Sequence, residues 1–251
     1  MTGVLEAGLW GALGGAALVI GAAIAWFVRV PADIIAGVMA FGSGVLISAL
    51  AFELVQEAAD TGGVGPAILG FLAGAVVYML ANTLLARHGA RHRKRSQEQQ
   101  PGPEENNGSG AAIAVGALLD GVPESVVLGA SLLGGGGVST AVVAAVFISN
   151  LPEGLSSAAG MKKAGRSARY VFGVWIGIAL ASALAAALGY LFLGSASPQV
   201  VAVITAVAAG AILTMLADTM IPEAFERTRA LTGLIAAIGF VTAFAISRAG
   251  G

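Results

Sequence analysis

The stretch Ala111 to Leu133, AAIAVGALLDGVPESVVLGASLL, is long and apolar enough to cross a bilayer, yet it carries Asp120, Pro123 and Glu124 near its middle. A helix rises about 1.5 Å per residue and the hydrocarbon core is about 30 Å thick, so roughly 20 apolar residues make one span. A carboxylate at that depth costs roughly 2.5–3.5 kcal/mol on insertion scales and normally faces a bundle interior or a watery cavity. The rest of the chain supports a membrane setting. Its 251 residues are 57% hydrophobic and 11% charged, with 37 glycines, and the mean hydropathy of +0.87 lies outside the range of soluble domains.

Working outward, seven further segments qualify as spans: Leu5 to Val28, Asp33 to Val55, Val64 to Ala86, Val138 to Met161, Val171 to Leu193, Gln199 to Ile221 and Leu231 to Ser247. With Ala111 to Leu133 they predict an all-α polytopic protein of eight transmembrane helices in one domain, residues 1–251. Lysine and arginine are retained in cytoplasmic loops, so a correct span count collects them on one side. All but Arg248 of the 13 basic residues fall in loops after odd-numbered spans. Both termini are therefore expected outside. Glu6 lies in the first segment with no basic residue ahead of its apolar run, so that segment reads as a true span and not a cleaved signal. The one long connection, residues 87–110, begins RHGARHRKR and continues SQEQQPGPEENNGSG, a composition expected to form a disordered cytoplasmic loop. His88 and His92 within it read as part of an ordinary positive-inside stretch.

A net charge of −1 offers no basic field for nucleic acid. The absence of cysteine removes disulfides, thiolate catalysis and sulfur-rich metal sites. Gly134 to Gly137 lacks the Gly-Lys-Ser/Thr ending that would cradle phosphate, so no ATP-driven step is indicated.

Spans four and five repeat each other locally. Leu119-Asp120-Gly121-Val122-Pro123-Glu124-Ser125 aligns with Ile148-Ser149-Asn150-Leu151-Pro152-Glu153-Gly154 at an offset of 29. Each proline removes a donor and crowds the carbonyl four residues earlier, so Pro123 is expected to loosen Leu119 and Pro152 to loosen Ile148. Asp120 and Glu124 lie one helical turn apart and share a face, as do Ser149 and Glu153. Asp218 in span seven, Glu53 near the end of span two and Glu223 near the end of span seven add further carboxylates, and none is expected to have a basic partner within the membrane. Such a group must be protonated or neutralised by a cation. A lone carboxyl beside a proline kink is explained equally well as a structural hydrogen bonder. Two Pro-Glu turns plus Asp120 in consecutive spans point instead to an oxygen-rich metal site. Spans two and seven also match at an offset of 166, pairing Gly44 with Gly210, Glu57 with Glu223 and Ala58 with Ala224. By the charge count these two run in opposite directions, which makes an inverted repeat of the kind transporters use.

These motifs resemble the ZIP family of divalent metal transporters over nearly the whole chain. The family's His-Asn-x-Pro-Glu-Gly turn in span four is matched by Asp120-Gly121-Val122-Pro123-Glu124-Ser125, and its span-five Pro-Glu turn by Ser149 to Gly154. Asp218-Thr219-Met220-Ile221-Pro222-Glu223-Ala224 is similar to the family's span-seven ending. The resemblance implies a ZIP-like bundle with both termini outside and a secondary transporter that moves a divalent cation into the cytoplasm. Zinc or iron is the family's cargo, and manganese suits a site without histidine. The departures are Asp120 and Gly121, which stand where the family has histidine and asparagine. Positions that would complete a second metal site read Gly121, Asn150 and Ser182, so one site is expected. Its metal ligands are Asp120, Glu124 and Glu153, with Ser149, Asn150 and Asp218 as further candidates. The ion is cargo, and no cofactor is implied. The setting implied is a multi-pass protein of a bacterial plasma (inner) membrane. A transport-inactive metal sensor or membrane partner subunit is the alternative. Gly173, Gly177, Ala181 and Ala185 form a small-residue face suited to a homodimer or to packing within one chain.

Overall fold

The computed structural model describes residues 2–94, 96, 109–134 and 140–249. The described residues are helical, with short connections and no strand. Their helices are α1 (Thr2–Phe27), α2 (Ala32–Ala49), α3 (Gln56–Gly62), α4 (Val64–Leu85), α5 (Ser109–Ser131), α6 (Thr140–Lys163), α7 (Ala168–Leu193), α8 (Pro198–Met215), α9 (Ile221–Thr228) and α10 (Thr232–Ala249). Seven continuous segments are long and apolar enough to cross a membrane, and the last, Pro198–Ala249, runs for 52 residues. At 1.5 Å per residue a straight helix of that length would be about 80 Å long, far beyond one bilayer. The segment is instead folded back. At Arg229 the backbone enters positive φ (44°), which no α-helix tolerates, and α10 returns to pack on α2 while α8 packs on α4.

Local chemistry fixes several helix ends. Ser167 and Ser197 cap α7 and α8, accepting from the amides of Tyr170 and Val200 at 3.3 and 3.4 Å, and Pro198 occupies the first turn, where its missing N–H costs nothing. Gly63, at φ 89°, makes the sharp turn between α3 and α4 that a side chain would strain. α5 and α6 continue through Pro123 and Pro152 without interruption. The irregular backbone lies elsewhere, in π turns at Leu50–Val55, joining α2 to α3, and at Leu216–Met220, joining α8 to α9.

Two groups of helices result, and a common pattern links the halves of the second. α1, α5, α6 and α7 pack together around Leu18, Ile113, Leu155, Met161, Trp175 and Ile178. α2, α4, α8 and α10 form the other group, around Met39, Leu50, Tyr78, Ile212, Met215 and Met220. α2 meets α6, and α8 meets α5, along the seam. Within the second group the offset of 166 reappears as geometry. The π turns begin at Leu50 and Leu216. A Cβ on Gly44 would strike the Ala236 carbonyl and one on Gly239 the Phe41 carbonyl, while Gly210 stands in the same relation to Phe71 and Gly74 to Val207. The α2–α10 and α4–α8 pairs therefore approach backbone to backbone through matching glycines, the close packing that replaces hydrophobic driving force in lipid. Gly173 and Gly177 behave differently: nothing lies within 4 Å of a Cβ at either, so this face of α7 is open.

A carboxylate site at the seam

Asp120 and Glu124 project from one face of α5, and Glu153 from α6, all three into the interior. Their exposures of 1%, 2% and 4% leave none in contact with solvent. The structure thus gathers the three principal candidates in one buried region, fed by the one-turn spacing on α5 and by the contact between α5 and α6. Among the described residues no three His, Asp or Glu side chains yet converge on one point as a closed metal cage. Two protein cations stand among the carboxylates.

Arg93 and Lys94 supply those cations, which corrects the sequence reading that left the carboxylates without basic partners. The Arg93 guanidinium grips Asp120 through Nε to Oδ2 at 2.9 Å and Nη2 to Oδ1 at 2.8 Å. Nη2 also donates to the Tyr78 hydroxyl at 2.9 Å, and Nη1 to Asn82 Oδ1 at 2.8 Å and the Ala90 carbonyl at 3.4 Å. All five guanidinium N–H groups are thereby used. Tyr78 donates in turn to Asp120 Oδ1 at 2.5 Å. Burial works against the Arg93 charge, but Asp120 beside it more than compensates and holds its pKa above the ordinary arginine value. Lys94 Nζ lies 3.4 Å from Asp120 Oδ2 and 3.0 Å from Glu153 Oε2, bridging α5 and α6. Of the expected loop 87–110, residues 95 and 97–108 lie outside the described residues. Its beginning folds as a π turn, Ala86–Ala90, followed by turns that carry Arg93, Lys94 and Ser96 into the bundle. His88 stays exposed, with its Nδ1 2.9 Å from the Leu84 carbonyl.

Glu124 has a different environment. Neither of its oxygens makes a hydrogen bond of good geometry among the described residues, although the Asn150 amide and the Lys94 charge lie nearby. Beside it lies a void of about 10 Å³, lined otherwise by apolar or small residues including Leu46, Leu50, Leu54, Val127, Val142 and Ile212. Such a space holds one water at most. The remaining candidates divide. Asn150 is buried, but its Nδ2 donates to the Gly14 carbonyl of α1 at 3.0 Å. The Ser149 hydroxyl donates to Val146 O at 3.0 Å, which leaves its oxygen able to accept. Asp218 stands on the exposed side of the π turn Leu216–Met220, apart from the buried carboxylates. Glu223, named in the sequence only as a span-end carboxylate, is buried instead, and its Oε1 accepts from Ser96 N and Oγ, both at 2.9 Å, and from Ser156 Oγ at 3.2 Å. Gly121 and Ser182 do face each other, since a Cβ on Gly121 would lie 3.6 Å from Ser182 Oγ. This pair brings no carboxylate.

Beyond the chain itself, no protein-family model matches the sequence. Curated relatives do. The zinc transporter ZupT of Salmonella heidelberg (strain SL476) is 30% identical over 234 residues, covering 85% of this chain and 84% of that protein. The zinc transporters ZupT of Salmonella newport (strain SL254) and Salmonella typhimurium (strain LT2) match with the same identity and coverage. With buried carboxylates on paired Pro-Glu turns and a match to ZupT proteins over most of its length, the chain belongs to the ZIP family of metal transporters, a family of carriers and not of enzymes.

Proposed function

We propose that this protein carries a divalent metal cation across a bacterial inner membrane into the cytoplasm, binding it at Asp120, Glu124 and Glu153 with help from Ser149 and Asn150. The observation that carries this reading is the burial of three carboxylates on facing turns of α5 and α6, one of them, Glu124, without a hydrogen bond of good geometry among the described residues. An ionised carboxylate buried without a partner is too costly to keep, so the group holds either a proton or a visiting cation. The topology in this reading has eight spans, with α8 and α10 crossing separately and both termini outside, because that arrangement puts the basic loops on the cytoplasmic side. Small open residues on α7, Gly173 and Gly177, offer a face for a second copy.

Relatives named for zinc favour zinc as cargo. An all-oxygen donor set suits Mn²⁺ and Fe²⁺ as well, since zinc usually recruits nitrogen or sulfur ligands. A cavity of about 290 Å³, with Glu57 the one charged residue lining it among the described residues, lies between α3, α5, α7 and α8 and supplies a vestibule on the outer side in this topology. Protons compete with metal for the same oxygens, so uptake falls as the medium is acidified.

The test is uptake into proteoliposomes loaded with a metal-sensitive dye, comparing Zn²⁺, Fe²⁺, Mn²⁺, Cd²⁺ and Mg²⁺ for the wild-type chain and Glu153→Ala. Flux of at least one ion that disappears in the variant is the expected result. A folded wild-type protein that moves none of them would replace this reading with that of a transport-inactive metal sensor or partner subunit.

A further inference from the structure

We propose that Lys94 is a tethered counter-cation that occupies the metal position between Asp120 and Glu153 when the site is empty, and that a divalent cation enters by displacing it. This rests on the transport reading and adds to it what occupies the empty site and how it selects for charge.

The two neighbouring cations are held in opposite ways. Arg93 is an anchor, with five hydrogen bonds and a bidentate grip on Asp120. Space for it is built into α5: a Cβ on Gly116, one turn before Asp120, would come within 2.6 Å of Arg93 Cδ and 2.9 Å of its Nε. Lys94 is held chiefly by charge, through two ion pairs. Its ammonium sits 3.0 and 3.4 Å from two carboxylates, yet no hydrogen bond of good geometry forms. A flexible four-carbon stem lets such a group withdraw, whereas a planar guanidinium in a bidentate pair is fixed. The backbone beneath it is tied to the site. Ser157 Oγ donates to Arg93 O at 2.5 Å, Ser156 Oγ donates to Lys94 O at 2.6 Å, and Glu223 accepts from Ser96. The amine is therefore delivered to a defined place while remaining the least committed member of the cluster.

Charge arithmetic gives the exchange its direction. Fully ionised, the three carboxylates Asp120, Glu124 and Glu153 carry one negative charge more than Arg93 and Lys94 offset. A divalent ion in place of Lys94 neutralises the cluster and gains the unbonded oxygens of Glu124. A monovalent ion in the same place only reproduces the lysine's charge. Lys94 thus acts as a built-in competitor that a divalent cation overcomes and a monovalent one does not.

The test has two readouts on the purified full-length chain. Lys94→Met keeps the stem and removes the charge. If the metal-accessible form is a minor fraction of the empty carrier, this variant binds Mn²⁺ or Zn²⁺ about tenfold or more tightly than wild type. In the unaltered chain, which has three lysines, Lys94, Lys162 and Lys163, acylation by a small amine-reactive ester is followed by mass spectrometry. Saturating Mn²⁺ should raise the labelling rate of Lys94 by about tenfold on the same argument, leave Lys162 and Lys163 unchanged as internal controls, and have no equivalent in Na⁺. Metal binding in Lys94→Met that is equal to or weaker than wild type overturns the inference, as does Lys94 labelling unmoved by metal that the chain is shown to bind. If Lys94→Met fails to fold, the labelling result on the wild-type chain decides. Failure of every variant and of wild type to bind any metal would instead overturn the transport reading, and this inference with it.

Discussion

Asp120 and Glu124 lie one turn apart on the same face of α5, equally buried, yet their surroundings are opposites. Around Asp120 the protein has assembled a bidentate arginine, a tyrosine hydroxyl and a lysine. Around Glu124 it has placed aliphatic side chains and a void that holds one water at most, with no hydrogen bond of good geometry among the described residues. A carboxylate inside a membrane protein persists either because the chain neutralises it permanently or because something that comes and goes does so. Asp120 belongs mainly to the first kind, anchored by Arg93 and Tyr78, with only the side that meets Lys94 left to exchange. Glu124 belongs to the second and is kept open for cargo. Glu153, whose ion pair among the described residues is with Lys94, stands between them.

That contrast predicts opposite costs for the same conservative change. Glu124→Gln removes a charge the fold does not satisfy, so uptake in proteoliposomes should drop to background while thermal stability in detergent stays level or rises. Asp120→Asn leaves Arg93 buried without its counter-ion, which costs roughly 3–5 kcal/mol of stability, read as a lowered unfolding midpoint. A pair of variants with these two signatures exchanged would break the distinction. Tyr78→Phe deletes a hydroxyl that both donates to Asp120 and accepts from Arg93, an intermediate loss of about 1–3 kcal/mol by the same assay. Ser157→Ala removes one bond to the Arg93 carbonyl and should cost only about 0.5–1.5 kcal/mol.

The sequence carried much of this fold and part of this site. Long apolar segments and the partition of basic residues are direct consequences of the bilayer, so the helical layout could be read from them. The Pro-Glu turns likewise marked Asp120, Glu124 and Glu153 through spacing alone. Two features were hidden for identifiable reasons. The RHGARHRKR run has the same composition whether it is solvated or turned inward, and positive-inside retention explains it without any site; only the unpaired charge of three carboxylates, with Gly116 clearing space one turn before Asp120, hinted that Arg93 and Lys94 return to the bundle. Asp218 looked as interior as its neighbours because a regular helix was assumed. A π turn adds a residue to the turn and rotates the face presented, which leaves Asp218 exposed and Glu223 buried. The matched glycines show the converse case, where a weak internal match at Gly44 and Gly210 marked backbone contacts of the same kind in both halves.

The central claim is that one ion binds per chain and that Glu124 is reserved for it. Equilibrium binding of radioactive zinc and manganese to the purified protein, counted per chain, tests it most directly for wild type and Glu124→Gln. The account predicts one ion per wild-type chain and none at the same concentration in the variant. Undiminished binding in a folded Glu124→Gln chain would contradict it.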